Sequence, residues 1–199
     1  MTILQRCAQR DLRGDYYARV GTLPGAILSD DSMRRYLLWR AWGNPHTADA
    51  KWVLWVMLNP SVADGTYNDP TLSKVIEFSL RAGFDGLEVV NLISQRSPKP
   101  GVVRAEDEPD DADKIIALAF ARCSRIVAAW GTLSGLSKPA RKIALERIAF
   151  IRGLERVTER TQHFAGRKLE CLSVTKNGQP GHPLFLPYSA TLSPWVAAS

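Results

Sequence analysis

WVLWVMLNPSVADGTYNDPTLSKVIEFSL, residues 52–80, holds a strand, a polar loop and a helix in one run. Residues 52–58 are apolar without interruption, too short for a buried helix and rich in β-branched and aromatic types, which predicts a strand covered on both faces. Asn59, Pro60 and Ser61 end it. Asp69-Pro70-Thr71 opens a helix, because an Asp side chain accepts from the free N–H groups of a first turn and Pro is pre-set for the first helical position. Leu72, Val75, Ile76, Ser79 and Leu80 then recur at helical spacing, with Gly83 as the stop. The loop between, about ten residues long, sits at the carboxyl end of an interior strand, where open α/β sheets bind ligands.

Working outward, the pattern repeats. Residues 87–92 (LEVVNL) form a second apolar run ending in Asn91, followed by Arg96 in a loop over 94–109 that is long for a compact domain. Asp110, Asp111 and Asp113 suit a helix start continued by Ile115, Ile116, Leu118, Ala119 and Arg122. Residues 125–130 (RIVAAW) predict a third strand closed by Gly131. A helix follows from Ser137 and Pro139 through Ile143, Leu145, Ile148 and Ile151, with Arg141, Lys142, Arg147, Arg152 and Arg156 read as its solvated face. Residues 168–174 make a fourth strand, and TKNGQPGHPLFLP brings Lys176, Gly178 and His182 to its end. Strands alternating with helices imply βαβ units. The expected fold is a three-layer α/β/α with a mainly parallel central sheet of about four strands. An N-terminal β-hairpin is expected over 25–42, where SDDSMRR separates two apolar arms. The chain thus reads as a single α/β domain over 1–199, with a basic arm at 1–20, the hairpin at 25–42 and a core at 52–187.

Composition sets outer limits. A hydrophobic content of 45% and a charged content of 23% are those of an ordinary globular chain. No apolar run approaches the ~20 residues of a membrane span. The amino terminus lacks the apolar core of a signal peptide, so a cytoplasmic address is the expectation. Cys7, Cys123 and Cys171 are odd in number and far apart, which argues against a disulfide framework or a metal site; no metal and no cofactor are expected. The net charge is +6, and 18 of the 26 basic residues are Arg, the side chain suited to planar recognition of phosphate. Nucleic acid or a nucleotide is therefore the expected partner, and a membrane is not. His46 and His163 read as surface residues.

MLNPSVAD, NDPT, VVNL with Arg96, AAWG and HPLF, in this order over residues 35–187, closely resemble a bacterial family known only as a domain of unknown function. More distantly the same landmarks look like the uracil-DNA glycosylase superfamily, which implies that fold and hydrolysis of an N-glycosidic bond to a modified or damaged base. By this resemblance Asn59 and Pro60 stand where the attacking water is positioned, and Asn91 where an Asn reads the base edge. Trp130-Gly131 stands at the third strand end, and His182 where a His stabilises the departing base. Such a reaction needs a placed water and donors aimed at the base, and an Asn amide both donates and accepts. Asn59 does not titrate, so a general base has to come from Asp64 or Asp69. The catalytic set read here is Asn59, Asp64 and His182. The substrate-binding set is Pro60, Ser61, Asp69, Asn91, Arg96, Trp130, Gly131 and Lys176. Plainer roles compete for several: Asp69 as a helix cap, Trp130 as core packing, Lys176 as part of a polar turn. Two further readings stay open, a non-catalytic binder of a nucleobase, nucleotide or modified DNA, and a pocket for an unrelated small metabolite.

Overall fold

The computed structural model describes residues 24–42, 47, 49–61, 63–65, 67–97, 111–160 and 167–196, with the side chains of 111 and 157–160 left aside. The basic arm, Cys7, His46 and His163 lie outside these residues. Among the described residues seven strands and three helices follow in order: β1 (Gly25–Leu28), β2 (Arg35–Ala41), β3 (Trp52–Met57), α1 (Pro70–Arg81), β4 (Gly86–Asn91), α2 (Asp111–Arg122), β5 (Arg125–Ala128), α3 (Lys138–Arg160), β6 (Leu169–Cys171) and β7 (Ser193–Pro194), with a 3₁₀ turn (Pro183–Phe185) before β7.

β3 is buried along its whole length, as an uninterrupted apolar run requires. Its side chains alternate between two cores. Trp52, Leu54 and Val56 pack with residues of α2 and α3, while Val53, Trp55 and Met57 pack with Leu72, Val75 and Phe78 of α1. The helices therefore cover opposite faces of the sheet. Asp69 caps α1 by accepting from the Leu72 N–H at 2.8 Å, and Pro70 takes the first helical position. Gly83, at φ +76°, ends the helix in the left-handed region.

The strand order is β1-β2-β4-β3-β5-β6-β7. The pairs β4–β3, β3–β5 and β5–β6 are parallel, and β1–β2, β2–β4 and β6–β7 are antiparallel. This overturns the expected mainly parallel, roughly four-stranded, uracil-DNA glycosylase-like α/β/α sheet: the sheet is mixed and has seven strands. The cause is physical. β4 has one edge against β3, and its other row of N–H and C=O groups is satisfied by β2, so the hairpin extends the sheet instead of decorating it. β7 is two residues long and pairs with Glu170 and Cys171, too short to show any period in sequence.

A second correction concerns α3. Arg147, expected in solvent, is buried, where its Nε donates to Asp113 Oδ1 at 2.7 Å and its Nη1 to the Leu92 carbonyl at 2.8 Å. A guanidinium with several donors can satisfy both partners at once, so this Arg ties α3 to α2 and to the end of β4. Among the described residues no helix is long and apolar enough to cross a membrane.

Candidate functional site

Register explains why polar residues distant in sequence meet. Met57 lies opposite Asn91, and Val56 opposite Ala128, so β3, β4 and β5 end level with one another. The chain leaves β3 for β4 on one side and then crosses to β5 on the other, with α1 and α2 on opposite faces. A crevice opens beyond strand ends at such a reversal. There, a cavity of about 480 Å³ is lined by Arg35, Asn59, Ser61, Asp69, Asn91, Ser97, Trp130, Gly131, Thr132 and His182 among others. Its size falls within the roughly 300–1,000 Å³ of small-molecule sites.

Of the residues read from sequence, Asn59, Ser61, Asp69, Asn91, Trp130, Gly131 and His182 line this cavity, and Pro60, Asp64, Arg96 and Lys176 do not. Asp64 is held in the loop itself. Its carboxylate accepts from the Tyr67 N–H at 2.9 Å, the local turn to which Asp is suited. Asn59 is engaged with the backbone: its Nδ2 donates to the carbonyls of Pro60 at 3.2 Å and Ser97 at 2.7 Å, which joins the loops after β3 and β4. Trp130 belongs to the core. It is 1% exposed, meets Trp195 edge to face at 5.0 Å, and donates from Nε1 to Gln179 Oε1 at 2.9 Å.

Two arginines of β2 shape the site, and sequence reading did not single them out. Arg40 donates from Nη2 to the Asp64 carbonyl at 2.8 Å and from Nε to Asn68 Oδ1 at 2.8 Å, fixing the loop from beneath. Arg35 donates from Nη1 to the Ala63 carbonyl at 2.8 Å and from Nη2 to Asn91 Oδ1 at 3.2 Å. Burial lowers its pKa to about 10, with Asp69 opposing the shift, so the guanidinium stays charged at neutral pH. The available signal was a charged residue heading a strand whose next three positions are all apolar.

His182 reaches the cavity from the loop after β6. Its Nδ1 accepts from the Leu184 N–H at 3.3 Å, which puts the proton of the neutral ring on Nε2. Gly131 permits this approach. Its φ is +73°, and a Cβ there would stand 3.2 Å from His182 Cβ. Burial pushes the His182 pKa below its ordinary 6.5, against the opposing pull of Asp69.

A lowered folded-state pKa means that the unfolded chain takes up the proton first as pH falls. Stability from this group is therefore whole above about pH 6.5 and declines below it, until the folded pKa is passed. Thermal melts of wild type and His182→Asn from pH 8 to 5 should keep a constant separation above 6.5 and shift in favour of the variant below it. Parallel profiles throughout would contradict a buried neutral imidazole.

Comparison with curated proteins and with solved structures gave no match. Residues 35–184 match the family described as protein of unknown function (DUF1643), a span that begins at Arg35 and takes in every residue named above as lining the cavity. The chain belongs to that family.

Proposed function

We propose that the cavity binds a nucleobase, and that the chain hydrolyses the N-glycosidic bond of a modified or damaged base in DNA or in a nucleoside. The observation that carries this reading is the meeting of a buried amide, a neutral imidazole and a carboxylate around one cavity. Breaking such a bond leaves negative charge on the base and positive charge on the sugar, so donors must face the base and a base or oriented water the sugar. Asn91 and the Nε2–H of His182 supply the donors. Asp69 is the one carboxylate among the described residues lining the cavity, and it takes the general-base role for which the sequence offers Asp64 or Asp69. Phe185, 81% exposed at the cavity, offers a face on which a base can stack.

A non-catalytic binder of the same ligand is the second reading. It is favoured by the engagement of the Asn59 amide with two carbonyls and of Asp69 Oδ1 with the first turn of α1. Incubation with single- and double-stranded oligonucleotides carrying uracil, hypoxanthine and other altered bases, followed by alkali, separates the two. Cleavage at the altered base supports the hydrolase, and retention of the oligonucleotide without cleavage supports the binder. Neither would end the nucleobase reading. Because Asn also closes the turn that Asp64 makes, Asp64→Asn should leave turnover within roughly threefold of wild type. A loss of roughly 100-fold would return the general-base role to Asp64.

A further inference from the structure

We infer that Arg35 locks the amide of Asn91 with its nitrogen toward the ligand, so that the cavity reads a ring edge made of acceptors, as on the O6/N7 side of a 6-oxopurine. The inference deepens the nucleobase reading and rests on it. Arg has donors only, so the Asn91 atom 3.2 Å from Arg35 Nη2 must be the oxygen. The ambiguity of amide orientation is thereby removed by chemistry. The amide nitrogen points the other way, and this Nδ2 is buried with no hydrogen-bond partner among the described residues. Arg35 Nε is in the same condition. Both side chains line the cavity and both residues are only 5% exposed.

Buried donors without partners are rare, because each forfeits its hydration for nothing, and two of them on the wall of one cavity are matched by an acceptor brought by a ligand. His182 adds a donor from the loop after β6, since its Nδ1 is occupied by the Leu184 N–H and the neutral ring then carries its proton on Nε2. An Asn that both donates and accepts would suit the alternating edge of uracil. Here Arg35 already takes one lone pair of the Asn91 oxygen, and the two groups without a partner, Asn91 Nδ2 and Arg35 Nε, are both donors. Adenine and cytosine bring an amino donor to their major-groove edge, which would face a donor in this cavity, whereas guanine and hypoxanthine present N7 and O6, two acceptors side by side. Arg35 is thus a positioning residue that sets specificity through Asn91.

Calorimetric titration with inosine, 7-deazainosine, adenosine and uridine tests this without relying on turnover. Inosine should bind roughly tenfold to a hundredfold more tightly than adenosine or 7-deazainosine, since a site built around hydrogen bonds rejects an analogue that cannot complete them. In Asn91→Asp the carboxylate still accepts from Arg35 but has no donor, so adenosine should overtake inosine. Equal affinity for inosine and adenosine in wild type, or an inosine preference that persists in Asn91→Asp, overturns the inference. Uridine binding best also overturns it while leaving the nucleobase reading standing. No binding of any of the four removes both. Should Asn91→Asp fail to fold, the comparison of inosine with 7-deazainosine on the wild-type protein decides alone.

Discussion

Asp69→Asn is expected to cut hydrolysis of the base by roughly 10²–10⁴-fold, the usual contribution of a positioned proton acceptor, while the protein still folds. The substitution is informative because Asn separates the capping role of Asp69 from the role in hydrolysis proposed for it. As the cap of α1 it needs an oxygen 2.8 Å from the Leu72 N–H, and an Asn carbonyl supplies that as well as Asp does. As a proton acceptor it needs a carboxylate, which Asn lacks. Asp69→Ala removes both, so it should lose turnover to a similar degree and also lower stability by about 1 kcal/mol, or about 2–4 °C in Tm for a chain of this size. Some destabilisation of Asp69→Asn is expected too, since Asp69 opposes the buried charge of Arg35. The measurement is turnover on a single-base oligonucleotide alongside circular-dichroism melts for all three proteins. Turnover intact in Asp69→Asn would reduce Asp69 to a cap and leave the cavity as a binding site.

How much of this was legible in the sequence depends on whether a residue's role is local or comes from pairing. The Trp52–Met57 strand, the Asp69 cap and the α1 helix follow from neighbours a few positions away, and short-range patterning finds them. Asn59, Asn91 and His182, which the sequence places at or after the ends of predicted strands and the resemblance assigns to one site, line one cavity. The overall sheet was misread because the pairing of β2 with β4 joins residues about fifty positions apart, and nothing local to either strand encodes it. Arg35 and Arg40 escaped for the same reason: their partners, Asn91, Ala63 and Asp64, become neighbours only through that pairing. Asp64 and Asp69 are both polar residues of one loop, and only the direction of each side chain tells them apart.

Glu88 extends the same lesson to stability, and its removal should give the largest loss among the changes considered. It sits in the middle of β4, opposite both Trp39 and Leu54, in a stretch that reads as apolar, and is 1% exposed. Its carboxylate accepts from Arg122 Nη2 at 2.8 Å and from Arg122 Nε at 3.3 Å, a two-pronged pair at the last turn of α2, where a cation is also favoured by the helix dipole. Beside it Cys123 is fully buried. Burial, and secondarily the Glu88 charge, push that thiol well up, so it stays protonated and is no nucleophile. Glu88→Ala takes a two-pronged counter-charge from the largely buried Arg122 guanidinium, and breaking a buried pair from one side typically costs about 3–5 kcal/mol. At about 2–4 °C per kcal/mol that is a fall of roughly 6–20 °C in Tm. Replacing both partners, Glu88→Leu with Arg122→Leu, removes two desolvated charges together and should recover most of the loss. Urea melts of the two single variants and the double variant form the cycle that isolates the pair. If the losses simply add, the pair contributes nothing of its own, and β4 must be held against α2 by packing alone. A strong positive coupling would instead show that a charge pair fixes the strand whose last residue, Asn91, faces the cavity.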